Sequence, residues 1–330
     1  MPTLPNTMKS VAFTALRQAQ LVDRPADASP LQPDEVAGRT LVTLVSPGTE
    51  INWGFDQPHP APVYPGYAAV LQIDALGEAI KDLQIGQHVF CMGNHAARQR
   101  PRHAGVVPLP PGLAPADAVH ARLMGVSWTT LTTTRARPPA RVLIMGLGIV
   151  GNLAAQIFAA SGYDVVAIDP VESRRAAATR SGIADVRPRC PVDDPAFVDS
   201  IALGIDCSGH EQAVLDALRV VRKGGEVVLV GVPWKRRADI QSFDIMHAIF
   251  HRYVTLRSGW EWELPTQPQP FAPGNLIENW AAALAWIAAG RVNLAGLTQV
   301  AAPADAQRVY DDLLAQRGNF LSTVFDWSTL

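Results

Sequence analysis

The stretch "GLGIVG" at residues 146–151 follows directly on the apolar run "RVLIM" and leads directly into a helical pattern. Gly146, Gly148 and Gly151 at this spacing permit a tight turn, a close approach of backbone to a pyrophosphate, and a helix packed close behind it. The first helical turn, starting at Ile149 and Val150, offers free N–H groups and the positive end of the helix dipole to an anion. The next strand, "DVVAID", closes on Asp169, eighteen residues beyond Gly151. A carboxylate there accepts hydrogen bonds from adenosine ribose hydroxyls and repels a 2′-phosphate. Alone the glycine pattern is weak, and its plain alternative is a glycine-tolerant turn beside a surface aspartate; the strand–turn–helix–strand context makes it specific. Arg174 and Arg175 could accept a phosphate, but the acidic residue occupies the strand end itself, so NAD is expected over NADP.

The same grammar continues through "IALGIDCSG", "EQAVLDALRVV", "EVVLVG", "FDIMHAIFH" and "YVTLRSG". Repeated strand–helix units of this kind mean a doubly wound parallel sheet and an α/β protein. Before it, from Ser10 to about Val107, short β-rich runs are broken by Pro and Gly, and a helical stretch follows over about 116–134. Beyond Trp260 come a Trp-bearing loop, a long helix around "NLIENWAAALAWIAAG", the helix "ADAQRVYDDLLAQ" and a last strand "LSTVFDW". At 330 residues the chain exceeds what one core usually supports, so more than one domain is expected.

Net charge is −2 and basic residues are scattered, which argues against nucleic acid or an anionic membrane as partner and favours a small-molecule substrate. Cys91, Cys190 and Cys207 show no CxxC spacing, which speaks for a reducing compartment, the cytoplasm. No stretch reaches the roughly 18 apolar residues of a membrane span. The first seven residues, with two prolines, are expected to be a disordered extension before Met8.

With the glycine motif, "PGY" at 65–67, "IGQHVF", "IDCSGH" and "RKGGEVVLVGVP", the sequence resembles the medium-chain dehydrogenase/reductase superfamily over nearly its whole length. The resemblance implies a Rossmann doubly wound sheet plus a GroES-like β-rich catalytic domain. The divisions it implies are an N-terminal catalytic part at 1–133, a nucleotide-binding domain at 134–259 and a return at 260–330 that completes the catalytic domain. It also implies cofactor contacts from Thr130, Cys207, Ser208, Gly231 and Val232. Zinc-dependent members carry a catalytic cysteine where this chain has Pro47, in "SPGTE", and a PGHE turn whose histidine and glutamate are Tyr67 and Ala68 here. The region of the later ligand, "HARLMGVSW", is apolar or basic at the aligned positions, and the structural zinc lobe is missing. These positions cannot bind zinc well, so no metal is expected.

Without a metal, hydrogen-bond donors must stabilise the alkoxide. Thr49 matches the residue that relays the substrate proton in the zinc enzymes, and Tyr67 stands where a metal ligand stood, facing the nicotinamide. A phenol there can give or take a proton if cationic neighbours lower its pKa; a packed barrel tyrosine is the alternative. Glu50 reads as an orienting or a salt-bridged carboxylate, and His95 as a proton shuttle or a solvated loop residue. In "SGWEWELP", Trp260 and Trp262 alternate with Glu261 and Glu263, so an extended stretch presents one aromatic and one acidic face, suited to a sugar or polyol. A packing loop is the alternative. "YVTLRS" at the sheet edge suggests a homodimer. The reading these features favour is a zinc-independent NAD(P) oxidoreductase interconverting a secondary alcohol and a ketone. An NADPH quinone or enoyl reductase, which Asp169 disfavours, and a non-catalytic nucleotide-binding scaffold are the alternatives; a large ring substrate, as in bacteriochlorophyllide hydroxyethyl dehydrogenases with a similar "SxGTE" loop, also stays open.

Overall fold

The run "RVLIM" forms the strand Arg141–Met145, buried in all but its first residue, as a parallel strand covered on both faces must be. It lies inside a six-stranded sheet in the order Asp185–Arg187, Asp164–Ile168, Arg141–Met145, Ile201–Asp206, Val221–Leu229, Thr255–Ser258, with every neighbouring pair parallel. This computed structural model describes residues 7–330. Strand order reverses between Arg141–Met145 and Ile201–Asp206, which opens a crevice at their carboxyl ends. Helices Ile149–Ala160 and Glu211–Val220 pack on the sheet around Phe158, Leu203, Leu215 and Leu218.

Two compact units divide the chain. One holds the sheet just described, within Leu123–Asn279 and Gly290–Leu297. The division differs from the expected boundaries at 133/134 and 259/260, and side-chain bonds show why. Thr134 donates its hydroxyl to Glu226 at 2.7 Å, and Thr133 and Arg257 both bind Glu263. Asn293 N–H donates to Gln156 at 2.6 Å. These bonds hold the end of helix Ala121–Thr133 and the segments beyond Trp260 to the sheet unit.

The other unit comprises the described residues up to Arg122, with Trp280–Ala289 and Thr298–Leu330. Its main sheet runs Thr298–Ala301, Ser322–Asp326, Val36–Leu44, Ala69–Leu76, His88–Cys91, Val106–Pro108, with Arg98–Gln99 also pairing to Val36–Leu44. A separate hairpin joins Thr7–Ala15 to Gln18–Pro25. The C-terminal strand Ser322–Asp326 pairs antiparallel with Val36–Leu44, which closes a core of Val11, Phe13, Phe55, Tyr310, Phe325 and Trp327. Apart from Thr7, already in the first strand, the extension expected over the first seven residues lies outside the described residues.

Candidate active site

In the sheet unit, the glycine turn has the geometry its spacing predicts. Gly146 sits at φ +88°, and a Cβ there would lie 2.8 Å from the Ser208 backbone nitrogen. A Cβ on Gly151 would lie 1.7 Å from the Gly146 carbonyl oxygen, so helix Ile149–Ala160 starts hard against the turn. Gly148 caps that helix without a side-chain bond, and nothing lies within 4 Å of where its Cβ would be. Open space in front of uncapped N–H groups fits a pyrophosphate. Helix Ala121–Thr133 touches the same first turn, since Ser127 reaches the Val150 carbonyl at 3.5 Å. Three residues on, Thr130 is fully buried with its hydroxyl unpartnered.

Asp169 follows the strand Asp164–Ile168 but is only 1% exposed. Its carboxylate accepts from Leu147 N–H at 2.7 Å and Val171 N–H at 2.8 Å, and Arg174 approaches it to 3.5 Å. Arg175 donates to the carbonyls of Asp169 and Pro170. Asp169 thus braces the glycine turn as well as closing the strand. At the crevice, Ser208 directs both its N–H and its hydroxyl to Asp206, whose carboxyl burial pushes up. Gly231 N–H donates to the Asp206 carbonyl, and a Cβ on Gly231 would lie 2.3 Å from Gly209 N. Two strand-end turns therefore meet backbone to backbone, with Val232 half-exposed beside them and the Cys207 thiol pushed up by burial.

The stretch "WEWE" departs from expectation. It is a tight 3-10 turn over Glu261–Glu263, so residues 260 and 263 share a side and the two-faced alternation does not form. Trp260 and Trp262 are exposed, Glu261 is buried, and Glu263 is bound by Thr133 and Arg257. The packing role wins for the acidic residues.

In the other unit, "SPGTE" is a helical turn, Pro47–Thr49, that runs into a wider π-helical stretch, Glu50–Phe55. Glu50 is buried and accepts from Ser46 N–H at 2.7 Å, His95 Nε2 at 3.0 Å and the Tyr310 hydroxyl at 2.5 Å. His95 is 0% exposed; its Nδ1 meets the Thr43 hydroxyl at 2.7 Å, and that hydroxyl accepts from Trp327 Nε1. Nε2 faces the Glu50 carboxylate as a donor, and Nδ1 pairs with the Thr43 hydroxyl. Both nitrogens are committed, so His95 is neither solvated nor placed as a shuttle: with Glu50 it anchors the turn that carries Ser46 and Thr49.

The Pro65–Gly66 turn, with Gly66 at φ +96°, presents Tyr67 to that helical turn. A Cβ on Gly66 would lie 2.6 Å from His95 N, so only glycine fits. Tyr67 Oη donates to Ser46 Oγ at 2.5 Å and lies 3.4 Å from Thr49 Oγ1. Three hydroxyls converge. The Arg122 guanidinium lies 4.7 Å from the Tyr67 ring centre, with the Trp280 ring at 5.8 Å. Burial raises the Tyr67 pKa above its ordinary 10.0, and Arg122 and the two hydroxyls offset this only in part. The expected depression by a cation therefore does not prevail, and at neutral pH Tyr67 is a phenol and a donor.

A family model described as zinc-binding dehydrogenase matches residues 150–261. An alcohol dehydrogenase of Geobacillus stearothermophilus is 27% identical over 209 residues, 52% of this chain and 62% of that protein. The L-galactonate-5-dehydrogenase of Escherichia coli strain K12 is 28% identical over 225 residues, 56% of this chain and 65% of that one. The chain thus spans under two thirds of either relative's length. The crystal structure of galactitol-1-phosphate dehydrogenase from Escherichia coli matches with a TM-score of 0.80, 18% identity, and coverage of 97% of this chain and 100% of that one. These matches support the medium-chain dehydrogenase/reductase superfamily.

Like the solved structures of that superfamily, the chain has a Rossmann sheet and a GroES-like unit. The matched residues 150–261 all lie in the Rossmann unit and include none of Pro47, Tyr67 and Ala68, so the family description does not bear on the zinc positions. Among the described residues no three His, Cys, Asp or Glu side chains are grouped to hold a metal. Cys91 and His95 do not form a pair for one: the Cys91 thiol is buried and pushed up to about 12, and His95 is committed elsewhere. Sequence reasoning missed Ser46, Arg122 and Tyr310. Ser46 carried a signal, standing before the Pro47 that opens the helical turn. Tyr310 carried none.

Proposed function

We propose that this medium-chain dehydrogenase/reductase is a nicotinamide-dependent oxidoreductase that interconverts a secondary alcohol and a ketone without zinc, using hydroxyl groups in the metal's place. The observation that carries this reading is the convergence of Ser46, Thr49 and Tyr67 on one short helical turn. The names of the relatives support an alcohol as substrate, and L-galactonate-5-dehydrogenase supports a polyhydroxylated one.

NAD, when bound, supplies the hydride acceptor or, reduced, the donor. Gly146, Gly148 and Gly151 leave room for its pyrophosphate at the N-terminus of helix Ile149–Ala160. In ketone reduction Tyr67 turns its proton from Ser46 to the substrate oxygen, and Thr49 holds that oxygen from the same turn. Reduction leaves Tyr67 as a phenolate, and alcohol oxidation is the reverse, the substrate proton passing to that phenolate oxygen, so oxidation requires Tyr67 ionised and should rise toward alkaline pH. Because burial keeps Tyr67 a phenol, reduction should hold its rate through neutral pH and fall only above pH 10.0, the ordinary tyrosine value.

Asp169 favours NAD over NADP, since a 2′-phosphate would meet a buried carboxylate. Asp169→Ala should erode the preference and, by releasing Leu147 and Val171 N–H groups, weaken binding of both nucleotides; tighter binding of NADPH than NADH by the unaltered protein in titration calorimetry would contradict the assignment. Three thiols, none bonded to another, suit a reducing compartment such as the cytoplasm, and among the described residues no helix is long and apolar enough to cross a membrane. The strand Thr255–Ser258 has one neighbour in its sheet, and nearby Phe243, Met246 and Phe250 are exposed, which supports symmetric pairing with a second copy. Light scattering at micromolar concentration should give the mass of a dimer; a strict monomer would refute the pairing.

A further inference from the structure

A cavity of about 280 Å³ lies within the GroES-like unit and takes no part in the hydroxyl cluster. Met8, Arg24, Met92, Asn94, Arg98 and Gln99 contribute to its lining. Its volume approaches the lower end of pockets that hold small ligands, about 300 Å³.

Its lining holds three guanidiniums, those of Arg24, Arg98 and Arg100, against one carboxylate, that of Asp27. Arg100, which also lines it, is held by Glu35 at 2.6 Å and Asp27 at 3.3 Å. Arg98 directs Nη2 to both oxygens of Asp74 at 2.7 Å, which leaves its Nε–H and Nη1 without an acceptor among the described residues. Arg24 is half-buried and among the described residues pairs with no carboxylate: Nε donates to Ser10 Oγ at 2.7 Å, and the guanidinium carbon lies 4.5 Å from the Tyr64 ring centre. Burial disfavours its charge, and only the Tyr64 phenol offsets this. Its two Nη groups are thus donors with no acceptor among the described residues, on the wall of a cavity. A desolvated cation without an anion is costly, and a guanidinium edge matches the paired oxygens of a carboxylate or phosphate.

We propose that this cavity is a binding site for a small oxyanion, a carboxylate or a phosphate, held between the free edges of Arg24 and Arg98 with Met8 and Met92 against its apolar part. The site is separate from the proposed hydride chemistry and does not depend on it.

The test is titration calorimetry and thermal unfolding of the full chain with inorganic phosphate in one arm and succinate in the other, each against sodium chloride at matched ionic strength. At least one of the two should bind saturably and raise the melting temperature beyond chloride, and the arm that does so names the ligand class. Arg24→Met should lower that affinity at least tenfold. Met92→Glu, at an exposed position, should do the same with Arg24 intact by supplying a carboxylate of its own. Phosphate held at the glycine turn of the Rossmann unit would be unaffected by either change. No stabilisation beyond chloride in either arm, or wild-type affinity in either variant that folds, would overturn the proposal.

Discussion

Tyr67→Phe lowers kcat by at least about tenfold, and by up to about 10⁴-fold if the phenol is the main proton donor, while the dissociation constant for NAD stays nearly unchanged. The asymmetry follows from position. The phenol meets Ser46 and Thr49 in the GroES-like unit, and the pyrophosphate cradle of Gly146, Gly148 and Gly151 is built without it. Removing one oxygen leaves the ring under Arg122, so the fold should be retained. Keeping the ring stacked under Arg122 separates lost chemistry from lost packing. Thr49→Val should also lower kcat, and the double variant should lose less than the product of the two effects if both hydroxyls serve one substrate oxygen. Steady-state rates on an identified substrate decide this. Full turnover by Tyr67→Phe would make the phenol a packing residue.

The second large effect is on stability. Glu50→Ala removes the acceptor shared by Ser46 N–H, His95 and Tyr310, all in a fully buried setting. Leaving buried donors without a partner costs about 1–3 kcal/mol each. A loss of about 3 kcal/mol or more in urea unfolding is expected, with kcat lowered as well because the turn carrying Ser46 and Thr49 loses its anchor. Glu50→Gln, which keeps an acceptor oxygen, should recover part of the stability. A change within about 0.5 kcal/mol, the range of ordinary surface substitutions, would show that the network does not hold the turn.

What the sequence disclosed and what it hid divide along contact distance. The glycine turn, the helix behind it and Asp169 were legible because strand, turn and helix signals there are all local. The doubly wound order followed from alternation alone. Strand Asp185–Arg187 was missed because three residues carry no periodicity, and strand Gln18–Pro25 because "QAQLVDRP" is mostly polar on an exposed hairpin. The expected single helix over 116–134 is two, Pro115–Ala118 and Ala121–Thr133, with no proline or glycine between them to signal the break. "WEWE" misled because alternation means two faces only in an extended chain. His95 looked solvated because its partners, Thr43 and Glu50, lie 52 and 45 residues away. Tyr310 lies 260 residues from Glu50, brought there by the C-terminal return, and no local pattern reports such a pairing.

The central claim is that hydroxyl groups do the work of a metal, and one measurement meets it directly. Protein dialysed against chelator, with its zinc content determined by elemental analysis, is assayed for NADH formation over a panel of secondary alcohols, sugars and polyols. The account predicts turnover of at least one of them at well under one zinc per chain, undiminished by chelator and lost in Tyr67→Phe. Stoichiometric zinc retained through dialysis, or activity that chelator abolishes and added zinc restores, would contradict it.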